Sequence, residues 1–569
     1  MPRPRFNNTK KPKKTRIAGD VRQYQLISSY GIGSIVDFAK DTVMIAGVDD
    51  WDLKDWDIKD SEIENKLFED RKLFNENLQA ITGAEFFLSP KTDDGSPFLK
   101  SKDIPSYVFP EMLYCPKCKH LTRYNGSSKC LFNNEKGYPC RGELVASRFV
   151  VCCDNGHIED FPYSWWVHRG APCASGKEHP NIKMFNASNR SDAASLILSC
   201  EDCGKNQPLE SAFRENAFSG ANGYKCTCCH PHLPGKRRSG ETQCDAPLKT
   251  RLRSSSGVYF PVSFSALSIQ PKKPASAAIK DRTEADVYFD EYKVLSRNSP
   301  QAEDEYKAHP ADVPEGFEKC LKGVTVIDKL TVIQALKGFT RLRPWHGQAL
   351  GSSEDLRIAP LSDVEKPWLP GIKLNGEGIF FGFSKDAITD WEKRVGDRYD
   401  DLIEAFDESL FSDANPRFQT QYVALHTFAH LMIRQLSNEC GYSASSLKEK
   451  IYSTFAGSES QMHGVLIYLA TSDNEGSLGG LISIAEDKAK LKALLEGMLR
   501  KAQWCSADPL CVSSRKQGFL SLNYAACHDC VLLPETSCEF RNTLLDRVSI
   551  VGMPESPMLG LFGECLLRL

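Results

Sequence analysis

The chain has 569 residues, of which 41% are hydrophobic and 25% charged, and its formal net charge is -3. That length calls for about two to four domains with their own cores. The charge excludes a uniformly basic coat for nucleic acid, and no apolar run approaches the ~20 residues of a membrane helix.

The first residues, MPRPRFNNTKKPKKTR, are basic and lack both the apolar stretch and the cleavage site of a secretory signal, so a reducing cytoplasmic setting is expected. Residues 1–20 read as a basic disordered arm whose Lys10, Lys11, Lys13, Lys14 and Arg16 are candidate phosphate contacts. From 21 to 110 the pattern turns globular, with strand-like QYQLISSYGIGSIVDF and TVMIAGV forming an N-terminal α+β domain.

In a reducing compartment the chain's 21 cysteines are expected to bind metal, because disulfides do not persist there. Thirteen of them fall between Cys115 and Cys244, which defines a zinc-rich region over 111–270. Zinc takes four tetrahedral nitrogen or sulfur ligands, and a Cys-x2-Cys turn supplies two of them. Cys115 and Cys118 form such a knuckle, with Cys130 and Cys140 as the completing pair. Cys200 and Cys203 form a second, for which Cys229 and Cys244 are the expected partners, with Cys226 and Cys228 as alternatives to Cys229.

Cys152, Cys153, His157 and Cys173 suit either metal binding or core packing, and the apolar residues before Cys152 favour packing. Basic residues flank Cys244: Lys236, Arg237, Arg238, Lys249, Arg251 and Arg253 are candidate DNA contacts. Residues 271–320 are proline-rich and charged and read as a linker.

The remainder, 321–569, reads as a second α+β domain. It contains KLNGEGIFFGF as a strand around a turn, an amphipathic helix over ITDWEKRVGDRYDDLIEAF, a helix over QYVALHTFAHLMIRQL, a buried strand GVLIYLA and a long helix over IAEDKAKLKALLEGMLRKAQ. Cys527, Cys530 and Cys538 form a last metal-binding group that needs one more ligand, Cys511 or Cys505. The fold class is therefore α+β, multidomain, with several structural zinc modules. Cys320, Cys440 and Cys565 read as packing residues.

No G-x-x-x-x-G-K-[ST] loop is present, so ATP hydrolysis is not expected. His426 and His430 have the i, i+4 spacing of a zinc pair, and Asp473 and Glu475 follow on a nearby turn. Those four define an alternative reading as a metal-dependent nuclease or hydrolase, and a free-standing zinc-ribbon DNA-binding protein is another.

The segments RQYQLISSYGIGSIVDF, FVVCCDNGHIEDFPYSWWVH, HTFAHLMIRQL, GVLIYLATSDNEGSLGGL and AACHDCVLLPETSCEFRNTLLDR together resemble the DrmB family of the DISARM anti-phage defence systems of bacteria. The C-terminal series is similar to a zinc-binding domain associated with superfamily 2 DNA helicases. The resemblance implies an accessory subunit without a catalytic centre, forming a heterodimer with a DrmA-like helicase and engaging DNA. It carries Cys527, Cys530 and Cys538 over as zinc ligands, with Cys511 as the fourth.

Overall fold

Two long stretches rich in β-branched and aromatic residues, 321–340 and 368–383, set the framework, because such side chains pack well on a pleated surface buried on both faces. The structure, a computed structural model, describes residues 18–51, 66, 68–90, 104–133, 137–186, 195–220, 222–241, 243–269, 283–345, 357–409, 418–471, 478–518, 521–534 and 536–569.

The strands of the central sheet are β1 (Phe86–Leu88), β2 (Phe260–Leu267), β3 (Tyr306–Ala311), β4 (Leu321–Thr340), β5 (Trp368–Phe383), β6 (Leu447–Ser453) and β7 (His463–Thr471). Their order is β3-β4-β5-β7-β6, with β2 also paired to β4 and β1 running parallel to β5 through Trp368↔Phe86. Along β5 the side chains alternate. Ile379, Phe381 and Phe383 enter a core with the C-terminal helices, whereas Ile372, Leu374 and Phe380 enter a second core on the opposite face. Fully burying one such side chain stabilises the fold by about 1.5–3 kcal/mol.

The first core is built around α2 (Thr420–Cys440), which follows the short α1 (Tyr163–His168) in chain order and precedes α3 (Lys488–Ala502). Helix α2 is buried on nearly every side, from Gln421 through Ile433, and so sits inside the domain between the sheet and α3. Two expected long helices are each broken in two. Val395 ends one at Gly396, whose φ of 52° suits glycine, and the next begins at Asp400. Asp487 caps α3 by accepting hydrogen bonds from the Ala489 and Lys490 amides, separating it from Gly480–Ala485.

The second core places the N-terminal segment against the same sheet: Leu26, Ile27, Ile32 and Val36 pack with Leu336 and Phe339. The described residues of the expected 21–110 domain therefore share a core with the C-terminal sheet. The expected linker, 271–320, differs in the same way. From 283 onward it supplies helix Glu284–Leu295, capped by Thr283, and the strand β3. Asp286 and Lys293 face out while Val287, Tyr288, Glu291, Val294 and Leu295 are buried, Glu291 accepting from the Tyr452 hydroxyl and pairing with Lys450, which the proline and charge content of the segment conceals.

Among its described residues, the cysteine-rich region contains three small antiparallel sheets, while Phe260–Leu267 at its end joins the central sheet as β2. Met112–Tyr114 pairs with Leu121–Arg123 and Val145–Ala146, Phe149–Cys152 with Ile158–Asp160 and Lys249–Leu252, and Ile182–Asn186 with Leu196–Cys200 and Asn206–Pro208. Three-stranded sheets of two to five residues per strand bury little apolar area and need additional constraint.

Candidate metal centres

The first hairpin of the middle region turns at Cys115–Cys118, where the Lys119 amide donates to the Cys115 carbonyl at 2.8 Å and Lys119 has a φ of 67°. The turn brings four thiols together: Cys115 Sγ is 3.7 Å from Cys140 and Cys118 Sγ is 3.6 Å from Cys130. These are the four expected from the spacing. Burial alone would raise the Cys115 thiol, but amide hydrogen bonds from Cys118 and Lys117 outweigh it and hold this thiol below its ordinary value.

The backbone makes room for a thiolate here, since a Cβ on Gly142 would lie 2.7 Å from Cys115 Sγ. We expect Gly142→Ala to displace that sulfur and weaken metal retention at this cluster at least tenfold, about 1.4 kcal/mol, measured by chelator competition. Unchanged retention would contradict that role for the glycine.

The second knuckle closes in an unexpected direction. Cys200 and Cys203 meet His168 and Cys173, which precede them: His168 Nε2 is 3.3 Å from Cys203 Sγ and Cys173 Sγ is 3.8 Å from Cys200. His168 stands at the end of α1, and its Nδ1 donates to the Ser164 carbonyl at 2.8 Å, leaving Nε2 free to bind. Hydrogen bonds from Ser175 draw the Cys173 thiol down to about 6.

Cys244 belongs instead with Cys153, His157 and Cys226. Cys153 Sγ is 3.2 Å from His157 Nδ1 and 3.9 Å from Cys244, and Cys226 Sγ is 3.4 Å from the same imidazole nitrogen. The other imidazole nitrogen of His157 faces Glu241 at 2.7 Å, an outer carboxylate of the kind that orients metal-bound histidines. The Cys226 thiol and then His157 hold Cys153 down at about 4, against the effect of burial.

The structure does not bring Cys229 to Cys200 or Cys244. Its carbonyl accepts from the Ile158 amide, and burial pushes its thiol up to about 12. Cys152 packs in an apolar cluster, as expected, whereas Cys153, His157 and Cys173 join metal-type clusters. The available signal was FVVCCDNGHIEDFPYSWWVH, which carries both histidines, with Cys173 five residues beyond it.

Near the C-terminus the four gathered thiols are Cys505, Cys511, Cys527 and Cys530, so both candidates for the missing position are present. Cys505 Sγ is 3.4 Å from Cys527, and Cys511 and Cys527 are each 3.6 Å from Cys530. Asp508 shapes the loop by accepting from the Cys505 and Val512 amides, and Arg547 donates to it at 2.6 Å. Cys538 is not in this group; its Sγ lies 3.2 Å from His426 Nε2. The turn after Cys530 carries it away from the knuckle and under α2.

Each of these four clusters supplies four nitrogen or sulfur donors from the chain, at least one of them a thiol held below its ordinary value, which suits a closed tetrahedral zinc site. Cys320 and Cys565, both expected to pack singly, lie 3.9 Å apart between their sulfurs.

Several of the candidate DNA contacts serve the fold. Lys236 pairs with Glu111, Lys249 lies 3.6 Å from Glu215, and Arg253 binds Asp37 at 3.1 Å and the carbonyls of Ala146 and Ser147. Arg251 donates to the Thr250 carbonyl. Arg237 and Arg238 are exposed. Lys10, Lys11, Lys13, Lys14 and Arg16, like Asp473 and Glu475, lie outside the described residues. His426 and His430 are fully buried on α2.

Residues 22–260, which carry the first three clusters, match a family model described as a domain of unknown function, DUF8724. Residues 428–531, which carry the four C-terminal thiols, match the MrfA Zn-binding domain. The chain is 30% identical over 566 residues to the DISARM protein DrmB of Bacillus paralicheniformis, an alignment covering 86% of this chain and 95% of that protein. The chain belongs to the DrmB family of DISARM defence proteins.

Proposed function

We propose that this chain is a non-catalytic, zinc-binding accessory subunit that forms a heterodimer with a DrmA-like DNA helicase and helps the pair engage DNA. The observation that carries the reading is the closed character of the clusters. Each provides four protein donors and no position for a reacting water, so the metal serves architecture. In this reading zinc is held by Cys115, Cys118, Cys130 and Cys140; by Cys153, His157, Cys226 and Cys244; by His168, Cys173, Cys200 and Cys203; and by Cys505, Cys511, Cys527 and Cys530.

Bound zinc would supply covalent cross-links between strands too short to pack alone. The chain's own side chains then orient the ligands: Glu241 holds His157, the Ser164 carbonyl holds His168, and Asp508 holds the loop from Cys505 to Cys511. A nuclease centred on His426 and His430 is disfavoured by their complete burial. DNA contact falls chiefly to Arg237 and Arg238, with the basic N-terminal arm as a second contribution.

The test pairs the purified chain with a DrmA-like helicase of the same defence system. The two should co-purify, and the chain should raise DNA affinity or DNA-stimulated ATPase activity. Replacing Arg237 and Arg238 with Ala should weaken DNA binding uniformly across sequences and lower the slope of log K against log salt by up to about 1.8. Failure to co-purify, together with unaltered DNA binding and ATPase activity, would remove the proposal.

A further inference from the structure

A fifth group of ligand-type side chains lies beneath the C-terminal cluster, in the core between α2 and the sheet. His426 and His430, four residues apart, share one face of α2. Glu449 sits on β6 between Leu447 and Ile451, on the strand face where both neighbours enter the apolar core. Cys538 arrives from the loop that follows the Cys527–Cys530 knuckle. A carboxylate in the middle of an otherwise aliphatic strand face, with its side chain 0% exposed, requires a positive counterpart.

We propose that His426, His430, Glu449 and Cys538 bind a divalent cation of the zinc class in a closed site that fastens the C-terminal cysteine loop to α2 and β6.

Distances and hydrogen bonding support this. His426 Nε2 lies 3.0 Å from Glu449 Oε1 and 3.2 Å from Cys538 Sγ, and His430 Nε2 lies 3.5 Å from Glu449 Oε1. Four donors bound tetrahedrally at about 2.0–2.3 Å are separated from one another by about 3.3–3.7 Å, so the cluster is already near the required size. His430 Nδ1 is 3.1 Å from the Val531 carbonyl, which only accepts. The proton is therefore on Nδ1, and the Nε2 lone pair points into the cluster, where it has no hydrogen-bond partner.

Glu449 Oε1 accepts from the Glu539 amide, whereas Oε2 is buried and unpartnered. Cys538 Sγ receives the backbone amides of Phe540 at 3.3 Å and Asn542 at 3.1 Å, a pair of donors suited to a thiolate. His426 Nδ1 also has no partner and would carry the proton of that ring, while His430 Nε2 and Glu449 Oε2 are two buried lone-pair atoms without a hydrogen-bond partner, which a cation would satisfy. A proton shared between His426 and Glu449 leaves both unmet.

Charge favours the same conclusion. One carboxylate, one thiolate and two neutral imidazoles around a dication sum to zero, a balance that avoids the cost of leaving net charge in a largely buried site. A dication held by four thiolates, as at the four-cysteine clusters, would instead leave two surplus negative charges. The Val531 carbonyl that orients His430 belongs to the residue after Cys530, so the loop from 530 to 538 is pinned at both ends, by the C-terminal cluster and by this one.

The test is metal content of the intact full-length chain by mass spectrometry, together with anomalous scattering from its crystals at the zinc edge. Cys538→Ser and Glu449→Gln should each lose one metal per chain relative to the unaltered protein, and the anomalous map should show a peak bonded to all four side chains. If those variants fail to fold, the map of the unaltered protein decides alone. Filled cysteine clusters with no peak between His426 and Cys538, or an unchanged metal count in a folded Cys538→Ser variant, would overturn the proposal.

Discussion

Stripping metal from the purified chain is expected to unfold the cysteine-rich middle region while the central sheet stays folded. In the proposed reading the three clusters there hold together sheets with strands of two to five residues, and one of the apolar cores between them counts Cys153, Cys173, Cys200, Cys228 and Cys244 among its own members. A structural zinc contributes on the order of 10 kcal/mol at neutral pH, comparable with the entire stability of a domain. Without it, buried sulfurs at 3.6–3.9 Å from one another lose their common partner, and the hairpins have too little apolar area to remain.

The central sheet has a different source of stability. Strands β4 and β5 are buried on both faces and carry two large cores. Hydrogen exchange during chelator titration checks the difference. Amides of Phe149–Cys152 and Leu196–Cys200 should lose protection first, and those of β4 and β5 last. Equal protection in both regions after full metal removal would show that the clusters do not hold the middle region together.

How far the sequence discloses these sites depends on how local their ligands are. Cys115, Cys118, Cys130 and Cys140 lie within 26 positions on two successive turns, and the spacing alone assembles the four sulfurs that the structure gathers. The next two clusters interleave. The chain passes Cys153 and His157, then His168 and Cys173, before reaching Cys200 and Cys203, and only later supplies Cys226 and Cys244. Counting forward from the Cys200 knuckle therefore pairs it with Cys229 and Cys244, when the strand Ile182–Asn186 in fact returns it to residues already passed.

Cys538 shows the same limit, since its distance from Cys530 resembles that of a fourth ligand while the turn between them points it at α2. The strand at GVLIYLA and the helix at QYVALHTFAHLMIRQL were legible because periodicity is a local property, whereas the glycines of KLNGEGIFFGF suggest a turn where β5 in fact runs unbroken, its Gly376 and Gly378 lying close against the backbone of β7. Sharing of a core between the described residues of 21–110 and the C-terminal sheet was not, because it depends on pairing across the chain, as in Trp368↔Phe86.

That long-range joining leads to Arg341, whose replacement by Met we expect to destabilise the protein by about 3–5 kcal/mol. Arg341 follows β4 and is 1% exposed. Its Nε donates to the Gly156 carbonyl at 2.9 Å, its Nη2 to the Gly33 carbonyl at 3.0 Å, and its Nη1 to the Val258 carbonyl. One guanidinium thus ties together the N-terminal segment, the cysteine-rich region and the end of the central sheet, using the fixed fork geometry that a lysine lacks. Burial lowers its pKa to about 10, so it stays charged at neutral pH.

The location explains why a cation is tolerated there. Gly156 lies in the loop between Cys153 and His157, and a dication bound there by three thiolates and one neutral imidazole would leave that cluster with one surplus negative charge. Arg341 sits where it offsets that charge, so its loss should act twice: three buried carbonyls lose their donor, and the second cluster loses its counter-charge.

Urea denaturation measures the first effect. Chelator competition measures the second, with metal leaving the cluster of Cys153, His157, Cys226 and Cys244 more readily while the Cys115 cluster is unaffected. Arg341→Lys keeps the charge but cannot reach three carbonyls at once, so it should retain metal better than Arg341→Met while remaining less stable than the unaltered protein. A change below about 1 kcal/mol for Arg341→Met, with metal retention equal at both clusters, would mean that this contact neither joins the regions nor balances the site.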